Sequence, residues 1–398
     1  MIFVYEYKLY PNVTQAKTVE RWMRICCRVY NRALEHRVKA YKRRGEFINY
    51  NAQQALLTEW RRRIEELRLV PQRCERDALR RVDRGMKAFF RRLKAKQKPG
   101  FPRFRSWQRY RSMEFLEPGI YLHGDKVRIP SLGFISCRGR LLPKGKQRGL
   151  RIIKRETGLY AQIILDNGVV PTEKPIQSSI GIDVGLESFA TLSNGEKIDN
   201  PRFARNSARK LRSLQRRVSR RKRGSKNRRR AVRVMARHHG RIKAQRHTFC
   251  HQEARKIVNR FDMIGFESLN IGNMVRNRNL ARSIMDAAWG FFTFCLTYKA
   301  ANAGKQAVGV DPRHSSQECP WCGRVVPKVL SERRHQCECR PGTVLDRDHA
   351  AALVIEARAL GGNRGDSLVE ESASTALVVG AASRSCEASM SDGHWPDG

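Results

Sequence analysis

Acidic residues are scarce in this chain of 398 residues, which has 37 Asp and Glu against 80 Lys and Arg and a formal net charge of +43. Long apolar runs are absent as well, since no stretch reaches the roughly 18 apolar residues that a membrane span requires. The first residues lack the cationic start and apolar core of a secretory signal peptide. We therefore expect an intracellular protein without a membrane span.

The excess of positive charge indicates a polyanionic partner, because self-repulsion of this size destabilises a folded chain unless it is neutralised. With a pI of about 10.8, the partner that we expect is nucleic acid. Charge alone leaves open a protein of the membrane surface and an RNA-binding protein of the ribosome. The length of the chain suffices for two or three domains, each with its own core.

The 11 cysteines do not indicate a disulfide framework, because their number is odd and the expected compartment is reducing. Five of them lie in helix-like apolar patterns and are predicted to be small core residues: Cys26, Cys27, Cys74, Cys250 and Cys295. Cys319 and Cys322 have the spacing of a zinc-binding pair, and Cys337 and Cys339 follow as a second pair. Together they predict a tetrahedral zinc site, the alternative being four free thiols in a loop.

The first half of the chain changes its hydrophobic period. Residues 1–10 alternate and predict one strand, whereas apolar residues recur at three- and four-residue spacing around 19–34, 56–67 and 79–93, which predicts three helices sharing one core. The helix pattern of the third segment is carried by Leu79, Val82, Met86, Phe89, Phe90 and Leu93. Between 115 and 166 the period returns to two and predicts a small barrel, which the first strand can complete.

Two segments are candidates for contact with nucleic acid. In PGFPRFRSWQRYRS, aromatic residues alternate with arginines, which suits stacking on bases and pairing with phosphates, but equally a strand with its aromatics in the core. Residues 202–246 contain 20 Lys and Arg and no Asp or Glu, which favours phosphate contacts over a solvated helix face. The candidate residues are Arg103, Arg105, Trp107, Arg109, Tyr110, Arg111, Arg216, Arg217, Arg220, Arg221, Arg223, Arg228, Arg229 and Arg230.

From residue 180 onward the pattern is β-β-α-β-α-β-α, which predicts an α/β domain with a mixed sheet. Asp183 and Glu267 lie in apolar strands, and Asp346 and Asp348 open an apolar helix. If the strands are neighbours, three carboxylates meet at one sheet edge and can bind divalent cations for phosphodiester hydrolysis. Taken singly, each acid has a simpler explanation: a strand end, an ion pair with arginine, or a helix cap.

Four ordered segments carry a family resemblance: GIDVGLESFATLSNGE, HQEARKIVNRFDMIGFESLNIGNM, WGFFTFCLTYKAANAGKQAVGVDPRHSSQECPWCG and LDRDHAAALVI. They resemble the three RuvC-like motifs and the zinc ribbon of the TnpB family, transposon-encoded RNA-guided nucleases related to type V CRISPR effectors and long described as transposases. The resemblance covers about residues 180 to 358.

The resemblance implies an RNase H-like, RuvC-like fold in which Asp183, Glu267 and Asp348 bind two catalytic Mg²⁺ ions, and it assigns the third role to the second aspartate of its motif. It implies a transposon-encoded RNA-guided endonuclease whose partners are a guide RNA from the transposon end and target double-stranded DNA beside a short adjacent motif. The four cysteines would hold structural Zn²⁺. Such a protein would act in the cytoplasm of a prokaryote, associated with the nucleoid.

The predicted organisation follows from these patterns and from the resemblance. Residues 1–10 and 99–175 would form a β-barrel wedge domain, and 11–98 a helical recognition domain. Residues 176–318 and 343–365 would form the nuclease domain, with the zinc ribbon at 319–342 inserted in it. Residues 366–398, rich in Gly, Ser and Ala, would be a disordered tail.

The sequence departs from the family pattern at two places. Ala350 stands where the family has Asn, which removes an amide that could support the third metal ligand. The second cysteine pair is Cys337-x-Cys339, one residue shorter than the family pattern, which leaves two alternatives: His335 replaces one thiolate at zinc, or zinc binding is weakened. Two other functions stay open, a nuclease-inactive guide-dependent repressor and a transposase that joins DNA strands, although no separate helix-turn-helix for binding DNA ends is apparent.

Overall fold

The computed structural model describes residues 1–116, 119–329 and 332–361, and these form two compact units that divide between Val170 and Pro171. This division lies close to the boundary predicted between residues 175 and 176. The predicted tail at 366–398 lies outside the described residues. No helix in the described ranges is long and apolar enough to cross a membrane.

The first unit begins with a strand and continues with helices. Their bounds are β1 Ile2–Tyr10, α1 Val13–Arg44, α2 Tyr50–Arg63, α3 Glu65–Arg68 and α4 Gln72–Lys94. Asn12 and Gln15 form a reciprocal capping box at the start of α1, and Gly45 ends that helix with a left-handed φ of 67°. The three long predicted helices are therefore confirmed, with a short fourth between the second and third.

The rest of the first unit is an antiparallel sheet. Its further strands are β2 Ser112–Phe115, β3 Leu122–His123, β4 Lys126–Ile129, β5 Gly133–Arg138, β6 Lys146–Arg155 and β7 Gly158–Asp166. The order is β2-β6-β7-β1-β5-β4-β3, so the N-terminal strand lies inside the sheet, as predicted. Within the described ranges the end strands β2 and β3 do not pair, and closure into a barrel stays a prediction.

One part of the predicted helical core is wrong. Leu79 and Val82 of α4 are fully buried, but two turns later Phe90 and Leu93 are exposed. The apolar period continues into the last turns of α4, where Phe90 contacts the partly exposed ring of Phe47 and remains open to solvent. The five cysteines that were predicted as core residues are all buried.

The second unit is an α/β domain with the element order expected from the sequence. Its strands are β8 Ser179–Val184, β9 Ser188–Leu192, β10 Lys197–Asp199, β11 Met263–Glu267, β12 Gln306–Val310, β13 Arg334–His335 and β14 Leu345–Asp346. Its helices are α5 Phe203–Asn206, α6 Ala208–Ser219, α7 Lys226–Arg260, α8 Ile271–Met274, α9 Arg278–Ala287, α10 Trp289–Asn302 and α11 Arg347–Leu360.

The sheet order is β10-β9-β8-β11-β12. Strands β8, β11 and β12 are parallel to one another, β9 is antiparallel to β8, and β10 is antiparallel to β9. The predicted mixed sheet is therefore confirmed, with β10 as an additional strand too short to show a period. One face packs on α7 and α10 around Phe189, Ile257 and Phe292. Helices α9 and α10 are separated at Ala288, whose φ of 58° ends α9 and starts α10 in a new direction.

Candidate carboxylate and four-cysteine sites

Asp183 and Glu267 lie at the carboxyl ends of two adjacent parallel strands. Ile182 of β8 pairs with Phe266 of β11, so the next residue on each strand is one of the two carboxylates. Because side chains alternate between the faces of a strand, equal register places both on the same face. Hydrogen-bonded strands are roughly 4.8 Å apart, so the register makes neighbours of two acids from distant parts of the sequence.

Two glycines on this face allow helix α11 to lie directly on the strands. Gly181 precedes Asp183 by two residues, and a Cβ built there would be 1.9 Å from the carbonyl oxygen of Ala352. Gly265 precedes Glu267 by two residues, and its Cβ would be 2.8 Å from Cβ of Ala359. Only glycine fits this spacing, so the packing of α11 fixes how its first turn approaches the two carboxylates.

The two aspartates at the start of α11 have different positions. Asp346 is the N-cap, since its Oδ1 accepts from the backbone amides of Asp348 at 2.9 Å and His349 at 3.3 Å, and its Oδ2 accepts from Lys197 Nζ at 3.0 Å. Asp348 lies in the first helical turn, where Arg347 donates to its Oδ1 at 3.3 Å. The capping explanation therefore holds for Asp346, and Asp348 has a separate position inside the first turn of α11.

The acids repel one another. Burial raises the pKa of Asp183 well above its usual value, and the nearby charges of Glu267 and Asp348 raise it further. Burial also raises the pKa of Glu267, partly offset by the hydroxyl of Ser315 and the charge of Arg358. A cation bound among these carboxyl groups would lower the free-energy cost of ionising them together and so favour their anionic forms.

The spacing of the three acids is wider than a single ion requires. Among the residues that the structure describes, only the four cysteines bring three or more ligand atoms within 4.8 Å of one another. Asp183, Glu267 and Asp348 are electrostatic neighbours without forming such a cluster. The structure thus brings the three acids near one another but does not close them around a single ion.

Ser315 is a site residue that the sequence reasoning missed. Its hydroxyl is buried and donates to Glu267 Oε1, with the carbonyl of Pro312 as a second acceptor at 3.1 Å. It lies in the loop between β12 and Cys319, a segment without periodicity. Arg358 of α11 holds the same loop by donating to the carbonyl of Arg313 at 2.9 Å and to Glu318.

The four predicted cysteines meet at one point. Cys319 Sγ is 3.6 Å from Cys339 Sγ, and Cys322 Sγ is 3.5 Å from Cys337 Sγ. Four thiolates around tetrahedral zinc, each about 2.3 Å from the ion, are about 3.8 Å apart, so these distances fit a four-cysteine metal site. His335 is fully buried and contacts Lys328 Nζ through Nδ1, and the four thiols complete a tetrahedral ligand set without it.

Both chain segments that bear cysteines lead into the carboxylate site. The loop before Cys319 carries Ser315, and the segment after Cys339 reaches β14, which pairs with β13 and ends at the N-cap of α11. The backbone amide of Arg347 donates to the carbonyl of Arg333 at 2.8 Å. The cysteine-bearing segment is thereby connected to the loop that carries Ser315 and to the start of α11.

The predicted nucleic-acid residues of the first unit have mixed positions. Residues 101–106 have no regular secondary structure, so the strand alternative is wrong. Tyr110 is only 2% exposed and cannot contact nucleic acid, which corrects that assignment. Arg105 stacks on Tyr30 at 4.9 Å, and Arg24 stacks on Trp107 at 4.4 Å. Arg103, Arg109 and Arg111 are exposed, the last pairing with Glu156 at 2.8 Å.

The predicted basic residues of the second unit surround the turn between α6 and α7. Arg228 has a structural part there, since its Nη1 donates to the carbonyls of Val218 at 2.9 Å and Arg221 at 3.2 Å. The other members of the set are exposed: Arg216, Arg217, Arg220, Arg221, Arg223, Arg229 and Arg230. Most of the set is therefore free to meet phosphates.

Comparison with known sequences finds three family matches. A family described as "Probable transposase" matches residues 162–278, and one described as "Cas12f1-like, TNB domain" matches residues 289–355. A third, described as "Helix-turn-helix domain", matches residues 1–46, where no such domain was expected from the sequence. In the structure those residues are β1 and the single uninterrupted helix α1.

Similar proteins cover most of the chain. A protein of Streptomyces pristinaespiralis named "Putative RNA-guided DNA endonuclease" is 33% identical over 365 residues, covering 89% of each chain. The Escherichia coli K12 protein "Putative RNA-guided DNA endonuclease InsQ" is 28% identical over 355 residues, covering 84% of this chain and 87% of the relative. The fold is similar to that of Cas12f1 in a solved complex with sgRNA and target DNA, with a TM-score of 0.57, 14% identity and coverage of 87% and 83%.

Proposed function

The chain belongs to the TnpB family. On that premise we propose that it is an RNA-guided DNA endonuclease that cleaves target double-stranded DNA in a catalytic site formed by Asp183, Glu267 and Asp348. The observation that carries the proposal is the equal register of β8 and β11, which puts the first two acids side by side where α11 brings the third. The names of the two relatives give the same activity.

The acids fit Mg²⁺ as the cofactor. All three offer hard oxygen ligands, and burial together with mutual repulsion raises the pKa of Asp183, which cations among the acids would reverse. Mg²⁺ held by these residues would activate a water molecule and stabilise the leaving oxygen of the phosphodiester. The protein orients the acids through the sheet register, through the contact between α11 and Gly181, and through the hydroxyl of Ser315.

The charge of the chain supports RNA and DNA as partners. A net charge of +43 requires a polyanion, and the exposed arginines around the α6–α7 turn can contact phosphates irrespective of sequence. Base pairing with a guide would supply the sequence specificity. In this proposal the helices and sheet of the first unit act as recognition and wedge domains, and the second unit as the nuclease domain with its inserted zinc ribbon.

Cleavage by the purified complex tests the proposal. The protein is co-expressed with RNA from its own locus and mixed with matched target DNA, a randomised adjacent sequence and Mg²⁺. We expect double-strand breaks with the wild type, none with Asp183→Ala, and equal DNA binding by both. Asp199→Ala is the matched control, because Asp199 is an exposed acid on the same sheet, and it should cleave like the wild type.

Three other outcomes would contradict the proposed nuclease activity. Equal guided binding without cleavage by either protein would identify a repressor. Ala350 is the residue that favours this alternative, because it stands in α11 where the family has the side-chain amide of Asn. Strand-joined products would identify a transposase. Cleavage that survives Asp183→Ala would place the chemistry elsewhere in the chain.

We further propose that the four cysteines hold structural Zn²⁺, supported by their mutual distances. Cys337→Ser should lower the bound zinc, measured by elemental mass spectrometry, from one ion per chain to a small fraction, and should lower the melting temperature, because so short a ribbon depends on its metal for folding. The control is Cys137→Ser, at a half-buried cysteine of β5 outside the cluster, which should keep its zinc. Full zinc content in Cys337→Ser would reject this site.

A further inference from the structure

The end of the helical region carries a connected row of aromatic rings. Tyr41 and Phe47 have ring centroids 5.0 Å apart, and Phe47 is 6.0 Å from Phe90. Phe89 is 5.2 Å from both Phe90 and Phe101. These five residues, here named the aromatic surface, come from the last turns of α1 and α4 and from the segments that follow them.

The aromatic surface is largely open to solvent. Phe47 is 72% exposed, Tyr41 56%, Phe101 46% and Phe90 40%. Phe101 is held in place by its neighbour, since a Cβ on Gly85 of α4 would lie 3.2 Å from Pro102. Large rings that are exposed next to one another, and not singly, indicate a surface that a partner covers.

The surroundings of these rings are strongly basic. Residues 84–113 contain 11 Lys and Arg and no Asp or Glu. The last turn of α1 adds Lys42, Arg43 and Arg44, and the last turn of α4 has Arg91, Arg92 and Lys94. Acids offset part of this charge, since Glu46 pairs with Arg44 at 2.9 Å and Asp83 pairs with Lys87 at 3.1 Å. Exposed rings among cations match a partner that has both flat bases and phosphates.

A second copy of the chain is a poor occupant. A symmetric dimer would place this basic surface against the same surface of its partner, and like charges brought together oppose association. RNA complements both the rings and the charge. A target DNA would meet the surface only transiently, whereas a guide is bound throughout and can keep the rings covered.

We propose that the aromatic surface binds unpaired bases of the guide RNA by stacking, while the surrounding Lys and Arg hold its phosphates. The inference rests on the proposed function for the identity of the RNA. It assigns to Tyr41, Phe47 and Phe90 a contact with single-stranded RNA that is independent of cleavage, since it needs neither Mg²⁺ nor target.

Direct binding of RNA tests the inference. The full chain is titrated against a short fluorescein-labelled RNA without self-complementarity and against DNA of the same sequence, with anisotropy read at several salt concentrations. The double variant Phe47→Ala/Phe90→Ala should bind the RNA about tenfold more weakly or worse. Its salt slope should be unchanged, because stacking releases no counterions.

Three control variants distinguish ring stacking from other causes of weaker RNA binding. Phe47→Tyr/Phe90→Tyr keeps the rings and should bind like the wild type, whereas Phe47→Leu/Phe90→Leu keeps apolar bulk without rings and should bind like the alanine variant. Phe134→Ala removes a ring that is 50% exposed elsewhere on the first unit and should not change the affinity. Thermal unfolding confirms that each variant is folded.

Several outcomes would overturn the inference. They are wild-type affinity in Phe47→Ala/Phe90→Ala, retained affinity in the leucine variant, or a loss confined to DNA. An RNA-free dimer of the wild type that this alanine variant converts to a monomer would show that a second copy covers the rings. Failure of the proposed nuclease is distinguishable, because Asp183→Ala abolishes cleavage and leaves RNA binding intact.

Discussion

At the scale of single residues, Ser315 links two chemically different parts of the second unit. Its buried hydroxyl donates to Glu267, and it lies four residues before Cys319, the first residue of the cysteine cluster. A carboxylate that must bind metal in a fixed orientation benefits from such a donor, because the hydrogen bond favours its ionised form and restrains its rotation.

Ser315→Ala should therefore impair catalysis without impairing binding. We expect the cleavage rate to fall about 10- to 100-fold, the Mg²⁺ concentration for half-maximal rate to rise, and the affinity for guide and target to stay unchanged. Rates over a Mg²⁺ titration measure this, with gel-shift assays for binding. Ser316→Ala is the adjacent control, at an exposed residue, and should behave as wild type, while Ser315→Thr should restore most of the rate. Equal Mg²⁺ dependence in Ser315→Ala and wild type would refute the positioning role.

At the scale of elements, helix α11 combines several roles in one segment. Asp346 caps it, Asp348 lies in its first turn, and Arg358 near its end holds the loop before the cysteine cluster. The helix can do this only because Gly181 and Gly265 let its backbone lie on the strands. The close packing therefore sets the position of the third carboxylate relative to the first two.

Gly181→Ala should displace α11, since the added methyl would meet the Ala352 carbonyl at 1.9 Å. We expect a loss of about 2–4 kcal/mol in unfolding free energy and little cleavage, measured by denaturant unfolding and by guided cleavage. Gly240→Ala is the matched control in helix α7, where a Cβ meets nothing within 4 Å, and it should stabilise by up to about 1 kcal/mol. Equal stability of the two variants would contradict the proposed contact.

At the scale of the whole molecule, positive charge is concentrated in acid-free stretches. One is residues 84–113 of the first unit and another is residues 202–246 of the second. Many other arginines are neutralised by acids, as Arg155 is by Glu6 at 2.6 Å. Within the two stretches some cations are paired as well, as Lys87 is with Asp83 at 3.1 Å and Arg246 with Asp286 at 2.9 Å. The exposed arginines of the α6–α7 turn remain available to phosphates and carry the salt dependence of binding, because each phosphate contact releases counterions.

Neutralising the α6–α7 turn should flatten that salt dependence. Arg216, Arg217, Arg220 and Arg221 changed together to Gln should lower the slope of log K against log salt by about 0.9 for each lost contact with duplex phosphate. Filter binding at several salt concentrations measures the slope. A control of equal charge uses Arg28, Arg63, Arg148 and Arg155, each paired with an acid, and should change the slope less. Equal slopes in both sets would show that only net charge matters.

The sequence alone determined the local features of this protein. Periodicity of two or of three to four residues identified the long helices, the strands around Asp183 and Glu267, and the antiparallel strands of the first unit. Spacing identified the cysteine cluster, and the resemblance supplied the choice of Asp348 over Asp346. These features are encoded by neighbouring residues, because backbone preference and side-chain alternation act over a few positions.

Tertiary structure decided what depends on contacts between distant segments. The register of β8 and β11, the approach of α11 to Gly181 and the hydrogen bond from Ser315 to Glu267 leave no periodic trace in the sequence. The same holds for burial, since Tyr110 is buried although its segment is rich in arginine, while Phe90 is exposed although it belongs to the apolar pattern of a helix. A pattern shows which face of an element is apolar, but whether that face is buried depends on which other elements the fold places against it.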